Sequence, residues 1–371
     1  MIATLENQDN VNGQVLYIAM ELSNKTWTLG FSNNSKIRQV SIEAGDWLGF
    51  DRAVECAKTK LYLPVTCPSY SCYEAGRDGF WIHRELTAKG INNRVIDSSS
   101  IEVNRRKRRV KSDGIDVKAM LRLLERYLSG EKGVMQVVRI PTEAEEDQRR
   151  LHRERGRLLK ERGAHSARIQ SLLVLHGIRI TVNKGFINEL SRYRHVGEDL
   201  KAELQREYTR YDLVDKQIKG LELGQKERVK QADNLALEQI NQLMLLKGVG
   251  WQSSWVLVME FFSWRDFKNR REVGACAGLT PTSYDSGDSQ REQGISKAGN
   301  KRVRILMVEL SWLWLRYQPQ SALSQWFEER FGRGGKRMRR IGIVAMARKL
   351  LIALWRYLRD GVIPEGAGLK A

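Results

Sequence analysis

Three short apolar runs open the hydrophobic pattern of the chain, and each has the length of a β-strand. Residues 15–20 are apolar throughout, 26–32 alternate between apolar and polar, and 37–42 form the third run. The connecting segments, Ser23-Asn24-Lys25 and Asn33-Asn34-Ser35, contain the residue types that favour tight turns. The pattern therefore predicts a three-stranded antiparallel meander.

Helical and strand patterns then alternate up to about residue 128. Helical spacing covers 48–61, 79–89 and 113–128, and strands are predicted at 63–74 and 93–96. A meander followed by alternating helix and strand is typical of the ribonuclease-H-like fold, which belongs to the α/β class. We therefore predict an N-terminal α/β domain over residues 1–135.

The middle of the chain, residues 136–240, combines dense charge with apolar residues at helical spacing. The stripe predicts two or three long helices, broken near Gly163 and near His176-Gly177. Their expected form is an antiparallel, coiled-coil-like arm, which would serve either as an intramolecular spacer or as a subunit contact. The stripe consists of Leu200, Leu204, Tyr208, Leu213, Ile218 and Leu221.

A second compact domain, all-α, is predicted over residues 241–371. Its first two helices are joined through Gly248 and Gly250, in a sequence that resembles a helix-hairpin-helix turn. Such a turn either exposes backbone N–H groups to a phosphate or is a plain tight turn between packed helices. Further apolar helices are predicted at 303–317 and 341–361, with a basic, glycine-rich loop at 331–340 between them.

A polar segment, AGLTPTSYDSGDSQREQGISKAGNKRVR at residues 277–304, interrupts the apolar helices. A long polar loop of this kind is usually functional. Its hydroxyl groups are candidate nucleophiles for a DNA phosphate, but the segment contains no histidine that could act as a base. Residue type alone leaves four candidates open: Ser283, Tyr284, Ser286 and Ser289.

Net charge indicates the partner. The chain has 63 Lys and Arg against 44 Asp and Glu, a net charge of +19, and a pI of about 9.9. Such an excess favours nucleic acid, ahead of an acidic membrane surface. Any one basic run could be a solvated surface, but several together favour nucleic-acid contact. The runs are Arg105, Arg106, Lys107, Arg108, Arg109 and Lys111; Arg149, Arg150, Arg153, Arg155 and Arg157; Lys297, Lys301, Arg302 and Arg304; and Lys336, Arg337, Arg339 and Arg340.

Other classes of protein are disfavoured. The four cysteines form no CxxC pair and the five histidines are scattered, which argues against a zinc site and fits a reducing cytosol. The sequence has no apolar run long enough for a membrane span, and the polar MIATLENQDN predicts no secretory signal. We expect a cytoplasmic protein associated with the bacterial nucleoid.

Four acidic residues lie where strands end or a helix begins: Glu21, Glu74, Asp113 and Asp116. Carboxylates that converge from such positions can hold two Mg²⁺ ions for phosphoryl transfer. Each acid also has an ordinary explanation, because Asp113 and Asp116 suit a helix N-terminus and the two glutamates could be surface residues. The order of the set, with a basic run before the last pair, favours the metal site.

Two groups of motifs resemble one known family. YIAMELSNKTW, YEAGRDGFW and RRVKSDGIDVKAMLRLL resemble the nuclease-like half of DEDD-type insertion-sequence transposases of the insertion-sequence-110 type. LLKGVG, ACAGLTPTSYDSG and GISKAGNKRVR resemble their transposase half. Both halves occur in order, so the resemblance covers most of residues 15–320.

The resemblance implies a RuvC-like domain with Glu21, Glu74, Asp113 and Asp116 as ligands of two Mg²⁺ ions, and Ser286 as the catalytic serine. It also implies an element-encoded bridge RNA as guide and a dimer or tetramer with a composite active site. The family's first acid is usually Asp, so Glu21 changes the reach of that carboxylate. A metal-dependent nuclease without a covalent intermediate and a non-enzymatic nucleic-acid-binding protein remain as alternatives.

Overall fold

The computed structural model describes residues 14–97, 113–286 and 289–370, without the side chains of Asp113 and residues 283–293. The chain divides into two compact units, Met1–Pro141 and Thr142–Ala371. The predicted division at residues 135 and 240 stays a prediction. Residues just beyond 135 pair with the first unit, because Val138 N donates to the carbonyl of Val95 at 2.8 Å.

The first unit is a five-stranded mixed sheet with helices. Its elements are β1 (Leu16–Leu22), β2 (Thr26–Ser32), β3 (Ile37–Glu43), α1 (Trp47–Lys60), β4 (Ser69–Glu74), α2 (Trp81–Ala88), β5 (Asn92–Ile96) and α3 (Asp113–Leu128). The strand order is β3-β2-β1-β4-β5. β1, β2 and β3 are antiparallel, which confirms the predicted meander, and β4 and β5 run parallel to β1.

Both faces of the central strands are buried. Ile18 and Met20 of β1 belong to the core that contains Phe50 of α1, whereas Ala19 belongs to the core that α3 covers. This two-sided burial explains why residues 15–20 are apolar throughout. α3 packs so close to the sheet that a β-carbon on Gly30 would lie 2.2 Å from Val117 Cγ1.

The predicted fourth strand is too long. Residues 63–68 lie outside the strand, which begins at Ser69. Pro64 and Pro68 fall in this stretch, and proline cannot donate a ladder hydrogen bond. The strand ends at Glu74, as predicted.

The second unit is mostly helical. Its elements are α4 (Glu143–Gln148), α5 (Arg150–Val174), α6 (Phe186–Leu190), α7 (Glu198–Gln231), α8 (Leu235–Met244), α9 (Trp251–Leu257), a π-helical turn (Val258–Phe262), α10 (Arg270–Cys276), β6 (Pro281–Ser286), β7 (Ser289–Ile295), α11 (Lys301–Tyr317), α12 (Ala322–Phe327), a second π-helical turn (Glu328–Gly332) and α13 (Lys336–Asp360).

The two long helices α5 and α7 pack against each other as an antiparallel pair. As residue numbers rise along α5, those of the ion-pair partners fall along α7; the pairs are Arg155–Glu222, Arg162–Asp215, His165–Glu207 and Arg168–Glu203. Leu158 of α5 is buried against Val214 and Ile218 of α7. A second, larger apolar cluster joins Ile169 and Leu173 of α5 to Leu204 of α7. The arm is therefore a helical pair held by two apolar clusters with ion pairs beside them.

The predicted break at Gly163 is wrong, because α5 is continuous from Arg150 to Val174. Packing against α7 outweighs the low helix propensity of one glycine, which is about 1 kcal/mol. The break predicted near His176-Gly177 is confirmed, with Gly177 at a positive φ of 72°. Leu213, assigned to the buried stripe, is 56% exposed, and Val214 is buried in its place.

The C-terminal helices surround a single apolar core that includes Trp255, Trp314 and Leu350. α13 begins at Lys336, so the predicted basic loop ends five residues earlier than expected. Throughout the described ranges, each helix is either too short or too polar to span a bilayer.

Candidate active-site residues

Glu21 and Glu74 lie at the same edge of the sheet. β1 and β4 are parallel, and Met20 pairs with Tyr73, so the two glutamates occupy the next aligned positions. Adjacent strands are about 5 Å apart, and aligned residues share a face. Glu21 is half-buried and Glu74 is exposed. The predicted position of each glutamate at a strand end is confirmed, and the structure adds that the two strands are parallel neighbours.

Helix α3 covers the sheet face that these positions share with Ala19 and Cys72. The carbonyl of Gly114, in its first turn, accepts a hydrogen bond from the Gln39 side chain at 2.7 Å, and Glu125, near its end, accepts one from Ser32. Ser32 lies beside the start of β1. The first turn of α3 therefore lies nearer to the ends of β1 and β4 than its last turn does.

The metal site stays a prediction. Among the described side chains, no group of three or more His, Cys, Asp or Glu residues is arranged to hold a metal ion. The side chain of Asp113 lies outside the described residues, and Asp116 is half-buried in the first turn of α3. Carboxylate oxygens are the ligands that Mg²⁺ prefers, so Glu21 and Glu74 fit a divalent cation by donor type.

The polar segment 277–304 is a β-hairpin rather than a loop. β6 and β7 are antiparallel, with Pro281 paired with Ile295 and Ser286 paired with Ser289. Cross-strand hydrogen bonds satisfy the backbone groups that a long polar loop would leave to solvent. Ser286 is the last residue of β6. Its side chain, like that of Tyr284, lies outside the described residues, so the choice of nucleophile stays a prediction.

Two glycines allow the segments on either side of the hairpin to cross at its base. Gly278 has a φ of 66°, and a β-carbon there would lie 2.0 Å from the carbonyl oxygen of Ala298. Gly299 has a φ of 97°, and a β-carbon there would lie 2.3 Å from the carbonyl oxygen of Cys276. Asn300 N also donates to Cys276 O at 2.8 Å. The glycines in AGLTP and KAGN therefore fix the base of the hairpin.

The cations that follow the hairpin have two different roles. Lys297, Lys301 and Arg302 are exposed. Arg304, in contrast, donates from Nη1 to the carbonyl of Ala277 at 3.1 Å and so belongs to the hairpin base. Lys301 and Arg302 form the first turn of α11, where the helix dipole already favours an anion. Their surface position fits contact with phosphate, and Arg302 Nε also lies 3.8 Å from the carboxylate of Glu260.

The basic run at the start of α13 divides in the same way. Lys336, Arg337 and Arg340 are exposed. Arg339 donates to the carbonyl of Gly332 at 3.2 Å and pairs with Glu328 at 3.7 Å. Three of the four predicted contacts are thus available to a ligand, and the fourth supports the preceding turn.

Of the two remaining basic runs, the structure describes only the one at the start of α5. The run from Arg105 to Lys111 lies outside the described residues. In the run at the start of α5, Arg155 pairs with Glu222 across the arm at 2.6 Å, and Arg149 is buried with its guanidinium 4.7 Å from the ring of Trp264. Part of this second run therefore stabilises the fold.

The turn that contains Gly248 and Gly250 is packed against other elements. Gly248 has a φ of 83°, and a β-carbon there would lie 3.2 Å from Tyr317 Cβ. Lys370 Nζ donates to the carbonyl of Val249 at 2.7 Å, and burial lowers the pKa of Lys370. Gly250 precedes α9 as its N-cap. These contacts favour the tight-turn interpretation, and phosphate binding stays a prediction.

Sequence reasoning missed a buried carboxylate, Glu260, in the first π-helical turn. Its side chain is 1% exposed, and it receives hydrogen bonds from His152 Nε2 at 2.8 Å and from Arg153 Nε and Nη2 at 2.6 and 2.8 Å. Burial alone would raise the pKa of Glu260, but the hydrogen bonds from Arg153 and His152 hold that pKa well below its usual range. The available signal was a single acid within the apolar run VLVMEFF.

Comparisons with known proteins agree on one family. A family model described as the transposase IS116/IS110/IS902 family matches residues 240–326, which include the first π-helical turn and the hairpin. The chain is 39% identical over 379 residues to a Sinorhizobium fredii protein named "Putative transposase y4rJ", across 96% of this chain and 94% of the relative. It is 26% identical over 258 residues to the transposase for insertion sequence element IS1328 of Yersinia enterocolitica, across 68% and 73%.

Proposed function

The chain belongs to the IS116/IS110/IS902 family of transposases, and from this membership we propose that it cleaves and exchanges DNA strands at the ends of an insertion sequence. The observation that carries the proposal is the hairpin Pro281–Ile295 within the segment that the family model matches. Its base is fixed by glycine crossings, while the flanking cations Lys297 and Lys301 are exposed. This arrangement places the serine- and tyrosine-containing hairpin and the exposed cations in one segment of the chain.

Ser286 is the proposed nucleophile. Its Oγ loses its proton and attacks a DNA phosphorus, the bond from phosphorus to one sugar oxygen breaks, and that oxygen takes up one proton and leaves as a hydroxyl, so protons balance over the step. The serine phosphodiester retains the energy of the original bond, so a second DNA hydroxyl can attack it, release the serine and reseal the strand without ATP. Lys297 and Lys301 lower the energy of the negative charge that develops on the phosphate oxygens.

The acids of the first unit would activate this chemistry. A serine hydroxyl is a weak nucleophile, and the polar segment contains no histidine to act as base. Glu21, Glu74, Asp113 and Asp116 would hold Mg²⁺, which when bound supplies Lewis-acid stabilisation of phosphate charge. The alignment of Glu21 with Glu74 at one sheet edge supports this role. The strand order of the first unit supports the assignment of this unit as RuvC-like, that is, ribonuclease-H-like.

The proposed partners are DNA, an element-encoded bridge RNA and further copies of the chain. The net charge of +19 supports binding to nucleic acid, whereas the RNA guide and a composite site in a dimer or tetramer rest on family resemblance. The antiparallel arm of α5 and α7 is compatible with a subunit contact. A cytoplasmic, nucleoid-associated location follows from DNA as substrate.

Trapping of a covalent protein–DNA adduct tests the proposal. The protein is purified from its host, the bound RNA and DNA are sequenced, and that DNA, end-labelled, is incubated with protein and Mg²⁺ before denaturing electrophoresis. We expect an adduct with wild type and Tyr284→Phe but none with Ser286→Ala. Adduct formation by Ser286→Ala but not by Tyr284→Phe would assign the reaction to the tyrosine.

The same assay separates the alternatives. Cleavage without any adduct, unchanged in Ser286→Ala, would indicate a metal-dependent nuclease. Adduct formation unchanged in Glu74→Ala would contradict the proposed metal site. If the protein binds nucleic acid but cleaves no DNA in any condition, it is a binding protein. If no element-encoded RNA is found among the bound nucleic acids, the guide is removed from the proposal.

A further inference from the structure

Glu260 connects three segments of the second unit. It lies in the π-helical turn Val258–Phe262, and its carboxylate binds the first turn of α5 through His152 and Arg153. The same carboxylate lies 3.4 Å from Nδ2 of Asn300, the residue that precedes α11. Arg302 Nε is 3.8 Å from it. The start of the arm and the end of the hairpin segment therefore share one buried acceptor.

The negative charge of Glu260 is compensated inside the protein by Arg153. An isolated buried carboxylate is strongly unfavourable unless it is paired and hydrogen-bonded. Arg153 supplies a two-pronged interaction, with one nitrogen on each carboxylate oxygen. A carboxylate only accepts, so Nε2 of His152 carries the proton in its hydrogen bond. Among the described atoms, Nδ1 of His152 is buried without a partner, which indicates that this ring is held chiefly through Glu260.

Asn300 transmits the position of Glu260 to the hairpin. Its Oδ1 accepts from the backbone of Arg302 and Val303 at 3.0 and 3.1 Å, so the side chain caps α11. Its Nδ2 lies 3.4 Å from the carboxylate of Glu260. Its own N–H bonds to Cys276 across the hairpin base. Asn300 is thus held at its amide, its side-chain oxygen and its side-chain nitrogen.

A small error at this base would become large at Ser286. Strands of six or seven residues extend the hairpin by about 20 Å, so a tilt of about 3° at the base moves the tip by about 1 Å. Misplacement of a reacting group by about 1 Å can cost roughly a hundredfold in rate. Precise fixation of the base is therefore required for phosphoryl transfer from the end of a hairpin.

We propose that Glu260 is a positioning residue that ties the start of the helical arm to the base of the hairpin through Asn300, and so fixes the place of the nucleophile. Glu260 touches no reacting atom in this role. The inference rests on the proposed function of the hairpin. It adds a connection between the first turn of α5 and the base of the hairpin.

Glu260→Gln tests the connection, because it keeps the size of the side chain and removes the charge. Hydrogen exchange measured by mass spectrometry should show amides of Ser296, Lys297 and Asn300 exchanging roughly tenfold faster, while the amides of α13 keep their protection. With DNA at saturation, adduct formation should fall about tenfold to a hundredfold, with the DNA Kd unchanged. Glu309→Gln, an exposed acid of α11 with the same change in charge, should match wild type.

A second variant keeps the inference testable if Glu260→Gln does not fold. Asn300→Ser retains a capping oxygen for α11 but has no amide to donate to Glu260. It should reproduce the faster exchange at the hairpin base and the slower adduct formation. Wild-type exchange at the base, or a wild-type adduct rate, in these variants would overturn the inference. A wild-type protein that forms no serine adduct would instead overturn the proposed function, and the exchange result would still decide the structural connection.

Discussion

The backbone of Gly299 lies so close to Cys276 that a β-carbon on Gly299 would be 2.3 Å from the carbonyl oxygen of Cys276. Only glycine fits at position 299 without a shift of the chain. Gly299→Ala should therefore displace the hairpin base. Strain at a φ of 97° and overpacking each cost about 1–3 kcal/mol, so we expect a loss of about 2–6 kcal/mol in the free energy of unfolding. Urea denaturation followed by tryptophan fluorescence measures this loss.

Gly294→Ala is the matched control. Gly294 has a similar φ of 85°, but a β-carbon there would meet none of the described atoms within 4 Å. Gly294→Ala therefore introduces backbone strain but no steric clash, and it should lower the free energy of unfolding by about 1–2 kcal/mol. Equal losses in the two variants would show that the approach to Cys276 has no energetic weight.

The hairpin shows what the sequence could and could not predict. Serine, glycine and charged residues in segment 277–304 match loop composition, and alternation is too weak there to reveal strands. The meander of the first unit was predictable because the apolar side chains of β1 and β2 are the ones that the two cores bury, and they are visible as apolar runs in the sequence. Gly278 and Gly299 were visible in the sequence, but their crossing partners, Ala298 and Cys276, depend on the tertiary structure.

The antiparallel register of the arm predicts a rescue by charge exchange. Arg155 and Glu222 pair at 2.6 Å with side chains that are 22% and 28% exposed. Arg155→Glu or Glu222→Arg alone places like charges together and should cost about 1–2 kcal/mol. The double variant should recover to within about 0.5 kcal/mol of wild type, because it restores the pair. Urea denaturation of the four proteins gives the coupling energy.

Arg157 supplies the control for this register. Its side chain is 81% exposed and lies within reach of Glu161 on its own helix rather than of Glu222. Arg157→Glu combined with Glu222→Arg should show no rescue. Rescue by this combination would indicate a register of α5 against α7 that differs from the one described.

The candidate site was predictable in part, for a physical reason. The strand pattern placed Glu21 and Glu74 at strand ends, but the parallel pairing of β1 with β4, which aligns these residues at one edge, depends on the sheet topology. Glu260 could not be assigned a role, because its partners His152 and Arg153 are more than a hundred residues away in the sequence and on a different helix. From the sequence, Arg153 is only one member of a basic run that favours nucleic-acid contact.

The basic start of α13 should contribute to DNA binding through Arg337. This side chain is exposed, and none of the described carboxylates pairs with it. If Arg337 contacts one phosphate, Arg337→Ala should reduce the slope of log K against log salt by about 0.9 and weaken binding to all DNA sequences alike. Fluorescence anisotropy with labelled duplex DNA at several salt concentrations measures the slope.

Arg339→Ala is the control for that measurement. Its guanidinium donates to the carbonyl of Gly332 and pairs with Glu328, so its loss should lower stability and leave the salt slope unchanged. A slope that changes with Arg339→Ala but not with Arg337→Ala would reverse the assignment of these two residues.

Glu260 should also make the protein sensitive to acid. Its pKa in the folded protein is held below the usual range, so the unfolded chain binds a proton more readily at acidic pH. The stability that Glu260 contributes is therefore fully present above the ordinary glutamate pKa of about 4.3 and is lost as pH falls below it. The gap in unfolding free energy between wild type and Glu260→Gln should narrow there by up to about 1.4 kcal/mol per pH unit. Urea denaturation of both proteins from pH 7 to pH 3.5 measures the gap. A constant gap would contradict a depressed pKa of Glu260. Glu309→Gln, which removes an exposed carboxyl that has no ion pair among the described residues, is the control for the change in net charge.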